Sequence, residues 1–367
     1  MIIGSVGVGL LGSSLAVALK DTLKKEIEIY AFSSEQTLQK ARQMDVFSGF
    51  YSYNDITTSI DGLDILFLCS PIKVIIEHIK TISTAPALSD KLIITDVGST
   101  KRQIMETAEK AFAHRNDMIF IGGHPMAGNE YRGIDANDKS LYENAIYALT
   151  PSPKTEDEHV SKLLYIIKQV GAIPLIVNPV KHDRAVAGIS HLPQMMASGL
   201  VDMISKEENA ELAKILSAGG FRDMTRIASS QYKMWEDIVD TNKDNIFELI
   251  DTYISELTQI KDAIQNKTLE PIFENARNTR ELIQKGKRGL LLQTVFEIFV
   301  RIPDQPGMLL KISTILAEAN LNIKDISIQH SREQDGGQFR LGFATISESE
   351  QAVDLLLAKG FYAKTIE

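Results

Sequence analysis

The chain has 367 residues, 44% of them apolar and 24% charged, with a net charge of −9. At about 100–200 residues per domain this is material for two or three well-cored domains, and the composition excludes a fibrous or disordered chain. An acidic surface repels phosphate backbones and anionic lipid, so neither nucleic acid nor membrane is an expected partner. Cys69 is the single cysteine, which excludes an intramolecular disulfide and a cysteine-rich metal site and fits a reducing, cytoplasmic setting. It lies in an apolar run, where an inert buried thiol is expected. Residues 1–19 are apolar and contain Ala16-Val17-Ala18, but they lack a charged leader and are broken by glycines. They read as a first strand and helix rather than a signal peptide.

From the N-terminus, short runs rich in Ile, Leu and Val at 2–6, 27–32, 65–69, 92–96, 118–121, 145–149 and 173–177 predict strands. Their lack of polar alternation is expected of strands buried on both faces of a parallel sheet. Helical spacing at 11–25, 35–44, 71–84 and 156–170 completes a βαβ rhythm, which predicts a doubly wound α/β fold. From 181 to about 285 the strand signal vanishes, and apolar residues recur at three- and four-residue spacing, as in an all-helical domain. Lys285-Gly286-Lys287-Arg288-Gly289 reads as a linker. Beyond it, strands at 296–302, 322–329, 338–345 and 361–365 and helices at 308–319 and 348–359 give the order βαββαβ, a ferredoxin-like unit.

Gly7-Val8-Gly9-Leu10-Leu11-Gly12 sits between the first predicted strand and the first predicted helix. In that context it is a dinucleotide fingerprint: Gly7 for the tight turn, Gly9 for approach of the pyrophosphate, Gly12 for close helix–strand packing. The helix start at Leu10 and Leu11 offers N–H groups to phosphate. The acidic residue that usually ends the second strand and binds the NAD ribose is missing; Ser33 and Ser34 stand there with no adjacent arginine. NAD is the expected cofactor, with NADP left open.

Four polar segments carry the remaining candidates: Asp96-Val97-Gly98-Ser99-Thr100-Lys101, Gly122-Gly123-His124-Pro125-Met126-Ala127-Gly128, Ser190-His191-Leu192-Pro193-Gln194, and the run from Gly219 to Ser230 that contains Arg226. Ser99 and His124 follow predicted strand ends, where ligands bind in open α/β sheets. Each has a plainer reading. Ser99 is also suited to cap a helix starting near Thr100, His124 to a turn, His191 to a half-buried helix position and Arg226 to a surface ion pair. Lys101 and Glu130 read equally well as solvated surface groups, and Gln194 as an ordinary helix position. No cluster has metal-ligand spacing, so no metal is expected.

At these motifs, with Met234-Trp235 after them, the sequence resembles the prephenate dehydrogenase family. The last unit, with Asp304-Gln305-Pro306-Gly307, resembles an ACT domain. The resemblance implies a Rossmann-like domain at 1–178, a helical substrate-binding and dimerisation domain of the 6-phosphogluconate dehydrogenase-like kind at 179–288, an ACT domain at 295–367, and a homodimer. It implies hydride transfer from prephenate to the nicotinamide cofactor, with decarboxylation to 4-hydroxyphenylpyruvate in tyrosine biosynthesis. His124 would be the base, oriented by Ser99. Arg226 would grip a substrate carboxylate and His191 would help position the substrate. Asn129 stands where the family commonly has a small hydroxyl residue. The ACT resemblance points to Gly307 and Asn322 as an amino-acid site, with tyrosine as feedback inhibitor. Alternative readings are an arogenate dehydrogenase, a hydroxyacid dehydrogenase of the wider structural group, and a non-catalytic amino-acid sensor on the same scaffold.

Overall fold

The computed structural model describes all residues except 129, 130, 154, 286–295, 304, 331–336 and 366–367. All of the expected linker after Lys285, with Asn129, Glu130, Asp304 and most of the expected turn at 335–337, therefore lies outside the described residues. Internal packing divides the chain into two compact units, Met1–Thr268 and Leu269–Glu367.

The first unit begins with β1 (Ile2–Val6), α1 (Leu10–Leu23), β2 (Glu28–Ser33), α2 (Glu35–Ala41), β3 (Gly49–Ser52), β4 (Ile65–Leu68), α3 (Ile72–Ser83), β5 (Leu92–Asp96), α4 (Arg102–Ala111), β6 (Met118–Pro125), β7 (Ile146–Pro151), α5 (Asp157–Gln169) and β8 (Ile173–Ile176). The strands form one sheet in the order β3-β2-β1-β4-β5-β6-β7-β8. Apolar residues at helical spacing decide which face each helix covers. Leu15 and Leu19 of α1 share a core with Leu163, Ile166 and Ile167 of α5. Ile75 and Ile79 of α3 share another with Ile104 and Met105 of α4. The sheet is thus covered on both sides, as its uninterrupted apolar strands require.

Two features depart from the sequence expectation. β3 is an eighth strand, a short and only half-buried edge segment; its ends, Gly49 and Ser52, give no apolar run to detect. The sheet is also not wholly parallel, because β7 runs antiparallel to β6. Parallel neighbours need a crossover element to carry the chain back across the sheet. Between β6 and β7 the described residues hold only a 3₁₀ turn, Ile134–Ala136, so the chain re-enters from the end at which it left.

The same unit continues with α6 (Pro179–Val186), a π turn at Ala187–His191, α7 (Leu192–Ser205), α8 (Ala210–Leu216), α9 (Gly219–Thr225), a 3₁₀ turn at Arg226–Ser229 and the long α10 (Tyr232–Asn266). Asn178 caps α6 by accepting from Val180 and Lys181 N–H at 2.9 and 3.3 Å, with Pro179 next in line, the usual chemistry of a helix start. Ile238 of α10 joins the core of α3 and α4, with Trp235 packed against it.

The second unit comprises α11 (Glu270–Lys285), β9 (Phe296–Ile302), α12 (Met308–Glu318), β10 (Asp325–His330), β11 (Gly337–Phe343), α13 (Ile346–Ala358) and β12 (Tyr362–Thr365). Its strands lie in the order β10-β11-β9-β12 and pair antiparallel throughout. Ile298, Val300, Ile312, Leu316, Leu341 and Leu356 form its own core. The last helix starts earlier than its apolar spacing predicts. Thr345 Oγ1 accepts the Glu348 N–H, and the Glu348 carboxylate accepts the Thr345 N–H, a reciprocal cap that begins the helix at Ile346.

Gly12 marks where α1 meets β1. A Cβ there would lie 2.1 Å from the Gly7 carbonyl oxygen and 2.8 Å from Ser5 Oγ, which are backbone and a buried side chain with little room to give. Gly12→Ala is expected to lower unfolding stability by about 1–3 kcal/mol, read as a shifted midpoint in denaturant unfolding of the full chain.

Candidate active site

The glycine loop leaves β1 through Gly7, whose φ of +90° and close approach to the Cys69 carbonyl both exclude a side chain. Its N–H donates to the Phe32 carbonyl on β2 at 2.8 Å. α1 then starts at Leu10 with Gly9 as its N-cap and no capping side chain. The N–H groups of Leu10, Leu11 and Gly12 have no partner within the helix, by helix geometry. A Cβ built on Gly9 would meet no protein atom within 4 Å. The loop is therefore open on the side where unpaired donors and the positive end of a helix dipole favour a phosphate, and it fits a dinucleotide. Ser33, at the end of β2, is buried, and its Oγ lies 3.4 Å from the hydroxyl of Tyr53. Tyr53 in turn stacks on His78.

Along the same carboxyl edge of the sheet, β5 ends at Asp96 and β6 ends just past His124. Among the described hydrogen bonds, His124 Nδ1 meets His182 Nε2 on α6 at 2.9 Å, and none joins it to Ser99. His182 Nδ1 lies 2.8 Å from Asp183 Oδ1. Nor does Ser99 cap a helix, since α4 begins at Arg102 after Lys101. Lys101 is not a surface group. It is fully buried, with its ammonium on the Asp96 carboxylate and, at 2.6 Å, on the Gly123 carbonyl. Asp183 accepts the N–H groups of Lys101 and Arg102 at 2.6 and 2.9 Å, which ties α6 to the start of α4. Thr100, just before α4, and Thr241 on α10 join at 2.8 Å, which ties α10 to the same place.

His191 closes the π turn. Pro193 follows two residues later and has no N–H for the Ile189 carbonyl, which accounts for the irregular winding. The imidazole is buried, with Nδ1 3.1 Å from Asn242 Nδ2 and the ring edge-on to Trp235. Asn242 breaks the helical geometry of α10, with φ −127° and ψ 17°. Its amide also donates to the Asp183 carbonyl at 2.8 Å, so His124 and His191 belong to one network through Asp183. Gln194, one turn after His191, is buried and donates to the Ile227 carbonyl at 3.0 Å. That bond holds the 3₁₀ turn carrying Arg226 against α7. The Arg226 side chain is exposed, with no hydrogen bond or ion pair among the described residues. The Trp235 indole N–H is buried without a partner among the described residues, a donor available to a ligand.

Electrostatics keep both histidines neutral. Burial pulls His124 well below its ordinary 6.5, helped by His182, Lys101 and His191. Burial lowers His191 to about 4 despite Asp183, with His182 adding to the fall. Burial also pushes the Cys69 thiol up to about 12, so it is no nucleophile near neutral pH.

His182, Asp183 and Asn242 were not legible as site residues. Neighbours such as His182 and Asp183 do not share a helix face, and their partners lie far away in the sequence.

In the second unit, Gly307 has φ +85° and precedes α12. It lines an open concavity with Leu310, Lys311, Thr314, Ile315, Glu318 and Lys359. Asn322 is exposed, precedes β10 rather than beginning it, and is not among the residues lining that concavity.

A helix start open to phosphate, and neutral histidines gathered by an overlying helical lobe, define a dinucleotide-dependent dehydrogenase. Comparisons with known proteins narrow the class. Residues 15–175 match the family model described as prephenate dehydrogenase, nucleotide-binding domain; 178–278 match its dimerization domain; 296–358 match the ACT domain. The prephenate dehydrogenase of Bacillus subtilis is 31% identical over 97% of this chain and 95% of its own length. Two crystal structures each cover 77% of the chain. The prephenate dehydrogenase of A. aeolicus, solved with hydroxyphenyl propionate and NAD+, is 29% identical over 98% of its own chain, with a TM-score of 0.69. The Synechocystis arogenate dehydrogenase is 30% identical over 100% of its own chain, with a TM-score of 0.68. The chain belongs to the prephenate dehydrogenase family.

Two outcomes follow for the titrating groups. The acid limb of kcat/KM is expected to lie below pH 6.5, because His124 stays unprotonated until the pH falls through its lowered value; a pH–rate profile checks this. His191 binds its proton more weakly in the folded chain than in the unfolded one. Its contribution to stability is therefore intact above pH 6.5 and lost progressively as the pH falls toward about 4, amounting to about 3 kcal/mol. Urea unfolding across that window should show a shallower dependence on pH in His191→Gln than in the parent.

Proposed function

We propose that this protein oxidises and decarboxylates prephenate to 4-hydroxyphenylpyruvate, with NAD as cofactor, in the cytoplasmic synthesis of tyrosine. The observation that carries the reading is a buried, neutral His124 on the same carboxyl edge of the sheet as the open glycine loop. Residues 1–178 would hold the dinucleotide, 179–288 the substrate and the dimer contact, and 295–367 the ACT domain. Family membership and the NAD+ bound by the A. aeolicus relative support the cofactor.

When bound, the dinucleotide supplies the hydride acceptor. The residues of the chain do the rest. Gly7, Gly9 and Gly12 bring the backbone to the pyrophosphate, with the N–H groups at Leu10 and Leu11 as donors. Ser33 and Ser34 are the groups nearest in sequence to the adenosine ribose, and an NADP assay decides what they accept. His124 takes the proton of the ring hydroxyl while hydride leaves the same carbon. The ring carboxylate is then lost as CO2, and the gain of an aromatic ring makes the step one-way. Arg226 grips a substrate carboxylate, for which a guanidinium that is exposed and unpaired among the described residues is suited. His191 positions the substrate from the helical lobe, and Ser99 contributes from the loop after β5. Holding these groups at reacting distance is the main catalytic effect.

Exposed apolar residues on the helices, among them Ile215 and Leu216 of α8 and Phe247 and Ile264 of α10, support a homodimer through that lobe. Tyrosine acts as feedback inhibitor at the ACT domain, with Gly307 and Asn322 as candidate contacts; the concavity beside Gly307 supports the first of these.

Purified full-length protein mixed with prephenate and NAD should reduce the cofactor, seen as absorbance. His124→Asn is expected to lower kcat by about 100-fold or more. Arg226→Lys is expected to raise the KM for prephenate by about tenfold, since an ammonium cannot make the two-bond grip. Reduction with arogenate alone would move the assignment to arogenate dehydrogenase. A folded protein that reduces neither NAD nor NADP with either substrate would overturn it.

A further inference from the structure

His124, His182 and Asp183 are 9%, 4% and 1% exposed, so the protons on their polar atoms are set by one another rather than by water. Asp183 Oδ1 accepts the Lys101 backbone N–H at 2.6 Å, and Oδ2 accepts the Arg102 N–H at 2.9 Å. Both oxygens are therefore acceptors. Oδ1 also lies 2.8 Å from His182 Nδ1, so that nitrogen carries the proton. In its neutral form His182 has one N–H, and with that proton on Nδ1 its Nε2 is a bare lone pair. That lone pair lies 2.9 Å from His124 Nδ1, and a hydrogen bond of this length needs one proton between the two nitrogens. His124 must supply it, and its own Nε2 is then the free acceptor.

We propose that Asp183 and His182 are positioning residues that lock His124 in the tautomer protonated at Nδ1, so that Nε2 is held ready for the proton of the substrate hydroxyl. The inference rests on the reading of His124 as the base. When Nε2 takes that proton, the Nδ1–H stays on His124 and continues to donate to His182, and the imidazolium is stabilised by the carboxylate one ring away. The neutral state that this arrangement needs at the outset is the one that burial enforces on His124. The relay orients the base from the side of the helical lobe. It also makes catalysis depend on closure of α6 against α4, since the carboxylate that starts the relay is the one that holds the two elements together.

A purely structural role for the pair would predict equal damage from any substitution, so the test compares two. His182→Leu removes the acceptor and keeps an apolar side chain of moderate size. His182→Gln retains an oxygen able to accept the His124 Nδ1–H. In the full chain with prephenate and NAD, His182→Leu is expected to lower kcat by about 100-fold, with both KM values within about twofold of the parent. His182→Gln should recover about tenfold of that loss. Nitrogen NMR of ring-labelled histidine should find the His124 Nδ1–H form alone in the parent and a mixture of tautomers in His182→Leu. Equal activity of the two variants, or an unchanged His124 tautomer in His182→Leu, would overturn the proposal. The NMR readout needs no substrate, so it decides the relay even where the parent fails to turn over prephenate.

Discussion

A lysine ammonium with no access to water persists only if a carboxylate and further acceptors surround it, because an unpaired charge in the interior costs several kcal/mol. Lys101 meets that condition through Asp96 at the end of β5 and the carbonyl of Gly123 on β6. The Asp96 carboxylate accepts in addition the N–H groups of Gly98 and Gly123, at 2.8 and 3.0 Å. The peptide that leads into His124 is thus held from both sides by one ion pair. The backbone N–H of the same lysine goes to Asp183 on α6. One buried cation therefore sets the sheet edge, His124 and the helix that carries the hydrogen-bond partner of His124. Removing either member of such a pair typically costs about 3–5 kcal/mol, which here would fall directly on the site.

The helical lobe reaches this edge by departing from regular geometry where it crosses it. The π turn before Pro193 and the kink at Asn242 both interrupt backbone hydrogen bonding, and in each case a side chain enters the network. Asn242 spends its amide on the Asp183 carbonyl and on His191, and Asn245 supplies the proton for the Asn242 carbonyl oxygen. That assignment leaves neutral His191 with its N–H at Nε2, a donor, whereas His124 presents an acceptor. Two histidines of equal intrinsic chemistry are given opposite hydrogen-bonding characters by their neighbours, as a site must if it is to take a proton at one point and bind an anionic substrate at another.

The second unit carries its own apolar core of strand and helix residues and its own helix caps. Its fold is explained by its own sequence, with α12 entered through the left-handed Gly307. The concavity there is built by one face of α12 together with Lys359. Its lining sets Lys311, Lys359 and Glu318 beside the apolar Leu310 and Ile315, so charges of both signs border a small apolar surface.

The sequence by itself determined the class of fold, the glycine loop and the family, because these rest on local patterns: apolar runs, helical spacing, glycines between a strand and a helix, and motifs in order. Even there it left out β3, whose four residues carry too little apolar signal, and the reversal of β7, which depends on the absence of a crossover helix rather than on any residue within the strand. That Cys69 is inert was legible from its apolar run, although its side chain is half-buried rather than buried. The burial of Lys101 was not, since a lysine after Ser-Thr reads as a solvated group until Asp96 and Gly123 are seen to enclose it. Tertiary structure alone decided that His182 and Asp183 stand behind His124. Hydrogen bonds between residues 58 positions apart leave no periodic trace in a single chain; they exist only once packing has brought a strand end and a helix start within 3 Å of each other.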